Sequence, residues 1–245
     1  GGAYPLPEVL SLLLSVGQTA LSCPVEIEFA ANFRATPDAR HELGFLQIRP
    51  VVVGADTGDV EIEHIEPARA VCLSQQALGH GHVEGVRDLL YVPADRFDRS
   101  RTVEIADQIG AFNRRLAAAD RPCVLIGPGR WGSADRWLGI PVKWGQISAA
   151  RVIVETDMPD IRVTPSQGSH FFQNMTSLGV AYLTVNFGED GGHLDMAWLD
   201  GQPAQEETEH VRHLAFERPL PIAVDGRGGV GIVLKPGERF ARSAD

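Results

Sequence analysis

Pro24-Val25-Glu26-Ile27-Glu28-Phe29 and Phe45-Leu46-Gln47-Ile48-Arg49-Pro50 are the two stretches on which the reading of the fold turns. Each alternates polar and apolar residues with the period of a strand. Successive strand side chains point to opposite faces, so Glu26 and Glu28 share one face, and Gln47 and Arg49 share another. If the strands pair as neighbours, both faces converge on one pocket holding two carboxylates, an amide and a guanidinium. Carboxylate oxygens fit a hard cation and an Arg fork matches phosphate oxygens, so the set suits a magnesium–nucleotide. The same spacing also fits an amphipathic hairpin with a solvated acidic face.

The wider run from Glu8 to Val52, EVLSLLLSVGQTALSCPVEIEFAANF and then ELGFLQIRPVV, resembles the end of the nucleotide-binding domain of pyruvate phosphate dikinase and phosphoenolpyruvate synthase. In that family an ATP-grasp domain closes with a helix, an acid-x-Glu strand and a strand reading LQ-x-RP. The resemblance implies that Glu26 and Glu28 correspond to the acidic nucleotide and magnesium ligands. It places Gln47 and Arg49 on the closing strand, with Glu28 and Gln47 as the metal residues. Mg-ATP is the implied cofactor, phosphoryl transfer the implied reaction, and a nucleotide and a small phosphorylated metabolite the implied ligands. The family also needs a lysine and an arginine from earlier in the domain, a phosphohistidine domain and a barrel for phosphoenolpyruvate, none of which this sequence contains. With no initiating Met, the chain is expected to be the C-terminal piece of a longer protein. Its partner would be the N-terminal ATP-grasp half of that parent chain, and alone it would be inactive as a kinase.

At 245 residues and 44% hydrophobic content, the chain can bury a sizeable core. A formal charge of −10 argues against unaided binding to nucleic acid or an anionic membrane. Arginines cluster between Arg87 and Arg101, but Asp88, Asp95 and Asp98 interleave with them, which reads as a solvated face. Cys23, Cys72 and Cys123 form no C-x-x-C pair and fit free thiols in a reducing compartment. The apolar run around Leu10 to Leu14 is too short to span a bilayer, so a cytoplasmic location is expected. A sheet cut in the acidic-motif region would expose an apolar edge, which makes a homo-oligomer one expectation.

Hydrophobic periodicity predicts a helix over residues 7–21, with Pro7 in its first turn. Turn chemistry over residues 53–59 sets the expected boundary, with residues 1–56 ending an ATP-grasp domain and residues 57–245 forming an α/β domain of unassigned function. Strands are expected at 68–75, 87–92, 123–126, 150–155, 180–186 and 194–199. Helices are expected at 102–119, 170–178 and 206–216. Residues 221–224 and 230–234 flank Asp225-Gly226-Arg227-Gly228-Gly229, a hairpin signal. The expected class is therefore α/β or α+β, a mixed-sheet domain layered with helices following the ATP-grasp end.

A second constellation is LIGPGRWGSADRWLGIPV, from Leu125 to Val142. Gly127, Gly129 and Gly132 form a G-x-G-x-x-G after a strand, and Glu155 ends a later strand where a dinucleotide fold wants its ribose-binding acid. In that reading backbone amides and a helix N-terminus cradle a pyrophosphate. Pro128 removes one amide, and no clean helix follows Gly132. A looser reading sets Arg130, Ser133, Asp135, Arg136 and Lys143 beside Trp131, Trp137 and Trp144, which suits a planar or phosphorylated ligand. Alternatively, the tryptophans plug a core. The loop of residues 127–143 thus supports a second function class, a non-catalytic regulatory or ligand-binding module.

Further along, Ser166 or Ser169 would cap a helix that places His170 near its positive end. The Gly-Ser-His order resembles the phosphocarrier motif of the dikinase family, yet Phe171 and Phe172 stand where that motif has small residues. His80-x-His82 sits in a Gly-rich turn, and His210 and His213 are expected on one helix face, both pairs without an evident third ligand.

Overall fold

The computed structural model describes residues 5–21, 25–33, 41–50, 60, 62, 65–133, 135, 137–157, 179–187 and 191–240, with backbone alone at 21, 49 and 50. The turn expected at 53–59, the helix expected at 170–178 and Arg136 lie outside the described residues. The chain divides into two compact units, Gly1–Val53 and Gly54–Asp245.

The first unit is a helix on a strand pair. Helix α1 (Leu6–Leu21) carries Pro7 and the acidic Glu8 in its first turn, where a missing amide costs nothing and a carboxylate complements the helix dipole. Strand β1 (Val25–Asn32) pairs antiparallel with β2 (Glu42–Pro50). Leu10, Leu13 and Leu14 are half-buried on the helix, and Gly17 is buried. A Cβ at Gly17 would collide with the Ile48 side chain and lie 3.1 Å from Val25, so the absent side chain lets α1 ride close on that face of the pair. Leu12 and Val16 on the helix remain exposed, as do Phe33, Phe45 and Leu46.

The second unit is mixed α/β, mostly strands in several sheets. Its seven-stranded sheet runs β13 (Glu206–Glu207), β14 (Arg212–Ala215), β6 (Asp88–Tyr91), β7 (Cys123–Pro128), β10 (Ala150–Thr156), β11 (Ala181–Val185) and β4 (Gln76–Leu78). The central strands β6, β7, β10 and β11 are mutually parallel and follow chain order, while β4 and β14 flank them antiparallel. A five-stranded antiparallel sheet runs β12 (His193–Leu194), β3 (Ala70–Ser74), β16 (Val230–Leu234), β15 (Ile222–Asp225) and β5 (Gly81–Val83).

Alternation along the central strands explains the layering. Leu90, Leu125, Ile153 and Tyr182 pack with Ile105, Ile109, Phe112 and Leu116 of helix α2 (Thr102–Ala118). Their neighbours Leu89, Tyr91, Val124, Ile126, Val152, Val154 and Leu183 pack instead with Val71, Ile222, Val224 and Val233 of the five-stranded sheet. The far side of that sheet is covered by Val60 and Ile65 against Ala70, Ala223, Ile232 and Leu234. Both faces of the central strands are thus buried, which requires the continuous apolar runs of 123–126 and 152–154.

Two expected elements are corrected. Residues 206–216 form β13 and β14, joined to the sheet edge through the pairing of β14 with β6. Residues 194–199 end β12 at Leu194 and then enter helix α3 (Met196–Gly201), where the Asp195 side chain accepts the Trp198 amide at 3.0 Å. Lys235 Nζ donates to the other Asp195 oxygen at 2.7 Å, and with the Trp198 amide it holds that carboxyl below its ordinary range. Cys72 and Cys123 are buried free thiols. Burial, aided by Asp88, pushes the Cys123 thiol up to about 12. Among the described residues, no helix is long and apolar enough to cross a membrane.

Candidate functional site

In the β1–β2 ladder Glu26 stands opposite Arg49, Ile27 opposite Ile48, and Glu28 opposite Gln47. Directly opposed residues of an antiparallel pair share a face, with Cβ atoms about 4.5–5.5 Å apart. Glu26, Glu28, Gln47 and Arg49 therefore occupy one face as two cross-strand pairs. They do not sit on two faces that must converge. Ile48 and Val25, which meet α1 at Gly17, belong to the opposite face. Beyond Glu28 the register jumps, so that Phe29 opposes Phe45 and Leu46 is the extra residue of a bulge. Bulges twist a ladder and re-aim the side chains beside them, here at the end of the acidic pair.

Glu26 and Gln47 are exposed and Glu28 is half-buried, while only the register position of Arg49 is described. Two carboxylates two residues apart on a strand stand about 6.6 Å apart along it, a span one divalent cation and the phosphate oxygens it carries can bridge. The opposing Gln47 amide adds a neutral oxygen. The face can hold a hard cation with a phosphorylated ligand.

The glycine loop is built differently. Gly127 and Pro128 are the last residues of β7, and Arg130–Trp131 forms β8, parallel to β9 (Gly139–Ile140). Gly129 and Gly132 take positive φ, +77° and +71°, which turn the chain into and out of β8. The Gly129 amide donates to Thr156 O and the Arg130 amide to Leu138 O, each at 2.9 Å. The Trp131 amide donates to Glu155 Oε1 at 2.8 Å, and the Gly132 amide to Ile140 O at 2.9 Å. Four successive amides are thus committed to the fold, and the expected cradle of open amides is corrected. Glu155 is fully buried, and its Oε1 accepts the Trp131 amide.

Trp131 is 1% exposed, and its indole N–H donates to Val154 O at 3.0 Å. A Cβ at Gly127 would lie 2.7 Å from Trp131 Cζ2, so this glycine makes room for the ring. Trp144 is half-buried against the same core, and Trp137 alone of the three rings is exposed. Arg130 is half-buried, and Lys143 is exposed.

The histidines are also rearranged. His80 Nδ1 lies 3.6 Å from Asp225, and the His82 ring meets Phe240 edge-on. His210 precedes β14 and His213 lies within it, so they share no helix face. His213 Nε2 lies 2.7 Å from Asp88, which also accepts Arg121 Nε at 2.9 Å and a terminal guanidinium nitrogen at 2.6 Å. Asp88 is 2% exposed, which corrects its reading as part of a solvated face. The available signal was its place at the head of an apolar strand, where a charged residue needs partners.

Comparison with protein-family models, with curated proteins and with solved structures finds no match for this chain.

Proposed function

We propose that this chain is the C-terminal portion of a pyruvate phosphate dikinase- or phosphoenolpyruvate synthase-like protein, and that its first unit completes an ATP-grasp site for Mg-ATP. The observation that carries this reading is the register that sets Glu26 against Arg49 and Glu28 against Gln47 on the face turned from α1. In this reading Glu28 binds magnesium with support from Gln47, Glu26 supports metal or nucleotide, and Arg49 offsets phosphate charge. The parent reaction is phosphoryl transfer from Mg-ATP, on the route to pyruvate or a histidine carrier. The second unit has no role in the chemistry on this account. Its glycine loop, with its amides committed, supports neither a dinucleotide nor a pyrophosphate cradle.

The test is calorimetric titration of the intact parent protein with Mg-ATP, repeated on Glu28→Ala and with NAD as control ligand. Saturable ATP binding and turnover that are both lost in Glu28→Ala are expected. Unchanged binding and turnover in the variant would remove Glu28 from the site, and NAD binding would move the site elsewhere.

A further inference from the structure

The start of α2 and the turn before β14 bring together Glu104, Glu209 and His210, with one donor atom of each within 4.8 Å of the others. Two exposed carboxylates near a histidine are common without consequence. The state of the imidazole is what sets this group apart. His210 is 4% exposed, and its Nδ1 lies 2.6 Å from the carbonyl oxygen of Arg96. A carbonyl only accepts, so Nδ1 carries a proton, and the tautomer this selects for the imidazole has its lone pair on Nε2. Nε2 is buried and has no hydrogen-bond partner.

The ring is also fixed in place from behind. The His210 amide donates to Gln108 Oε1 at 3.2 Å, and the Thr208 hydroxyl donates to the same oxygen at 2.6 Å. A histidine whose Nδ1–H is held by a backbone carbonyl, presenting a bare Nε2, is in the state that metal-binding histidines adopt.

Arg101 is the cation already at this place. Its guanidinium donates to both oxygens of Glu104, at 2.9 and 2.8 Å, and to both oxygens of Glu209, one at 2.8 Å. These bonds hold the Glu209 carboxyl below its ordinary range. Arg101 neutralises the acids, and the buried Nε2 remains unsatisfied. A single divalent ion would neutralise the carboxylates and fill the Nε2 lone pair together.

We propose that Glu104, Glu209 and His210 bind Zn²⁺, with Arg101 as an internal counter-cation that the metal displaces. One imidazole nitrogen and two carboxylate oxygens suit a borderline transition-metal ion and leave a fourth position for water. An imidazole donor disfavours Mg²⁺, which takes oxygen ligands. The bound ion would tie the first turn of α2 to the edge of the seven-stranded sheet. The site lies wholly in the second unit and does not depend on the nucleotide reading of the first.

The test is a titration of the metal-free 245-residue chain with Zn²⁺ by calorimetry, and with Co²⁺ followed by its visible absorption. Saturable uptake of one equivalent by the wild type is expected, with no uptake of Mg²⁺ at the same concentration. His210→Gln should weaken Zn²⁺ by more than about 100-fold, beyond the ~10–100-fold that loss of an outer partner costs. Glu209→Gln, on an exposed side chain that leaves the fold undisturbed, should weaken it too, and Arg101→Met should tighten it. Failure of the wild type to take up Zn²⁺ would overturn the proposal whatever Arg101→Met does. So would uptake that is unchanged in both His210→Gln and Glu209→Gln.

Discussion

The glycine loop at 127–132 and the strand pair at 25–50 both carry motifs of ligand binding, and the fold spends them in opposite ways. In the loop every amide from Gly129 to Gly132 donates inward, and Glu155 is buried as the acceptor for Trp131. In the strand pair the ladder satisfies the backbone, and the register sets Glu26 opposite Arg49 and Glu28 opposite Gln47. A motif therefore gains meaning from where its polar groups are directed after the fold has met its own needs. Glycines that could cradle a phosphate serve here to admit a tryptophan and to turn a short strand.

That contrast predicts a structural loop and a functional strand pair. The largest expected effect is at Trp131, where truncation to Ala empties a fully buried site and should cost about 3–5 kcal/mol. All tryptophans lie in the second unit, so urea unfolding followed by the fluorescence of Trp137, Trp144 and Trp198 reports on that unit alone. A loss near zero would mean that the ring is not a core residue, and the contrast would fail. Gly127→Ala comes next. Its new Cβ presses on Trp131 Cζ2 and lies 3.4 Å from Val92 Cβ, an overpacking that should cost about 1–3 kcal/mol in the same assay. A neutral or stabilising result would return Gly127 to the list of residues kept for a ligand.

Where one periodicity dominates, the sequence is easily read. Helix α2 has a single apolar stripe, β7 and the Val152–Val154 centre of β10 are continuous apolar runs, and Asp225 to Gly229 marks the β15–β16 turn. The expected helix over 206–216 failed because β14 is buried on both faces. Val211 and His213 face the α2 layer, where the His213 ring meets Phe112, whereas Leu214 faces the other sheet. Buried His213 and Arg212 then look like the polar stripe of a helix and hide the period of two. Over 194–199 the apolar residues mimic a strand, whereas the Asp195 cap is the short-range signal of the helix.

The two constellations were equally visible as strings of residues, but hydrogen-bond commitment is tertiary information. The Glu155 carboxylate reaches Trp131 from 24 residues away, and no local spacing announces it. The same holds for His210, whose Nδ1 is fixed by a carbonyl 114 residues earlier. The facing pairs of β1 and β2 are different. Once the strands are taken as antiparallel neighbours, alternation alone places all four register positions on one face.

The smallest expected effect on stability sharpens the contrast most. Glu28 is half-buried on the face away from α1, and the packing of the first unit runs through Gly17, Val25 and Ile48 on the other side. Glu28→Ala should therefore change the stability of the strand pair by no more than about 0.5 kcal/mol, the range for substitutions that touch no core feature. Amide hydrogen exchange of β1 and β2 measures this, because that unit contains no tryptophan. Unchanged protection together with lost phosphoryl transfer would separate the role of this carboxylate from that of Trp131, whose removal costs the fold itself. Protection lost over β1 and β2 would instead place Glu28 among the residues that hold the pair together. The inactivity of the variant would then say nothing about magnesium, and Glu26→Gln, on the exposed carboxylate of the same face, would become the substitution that tests the site.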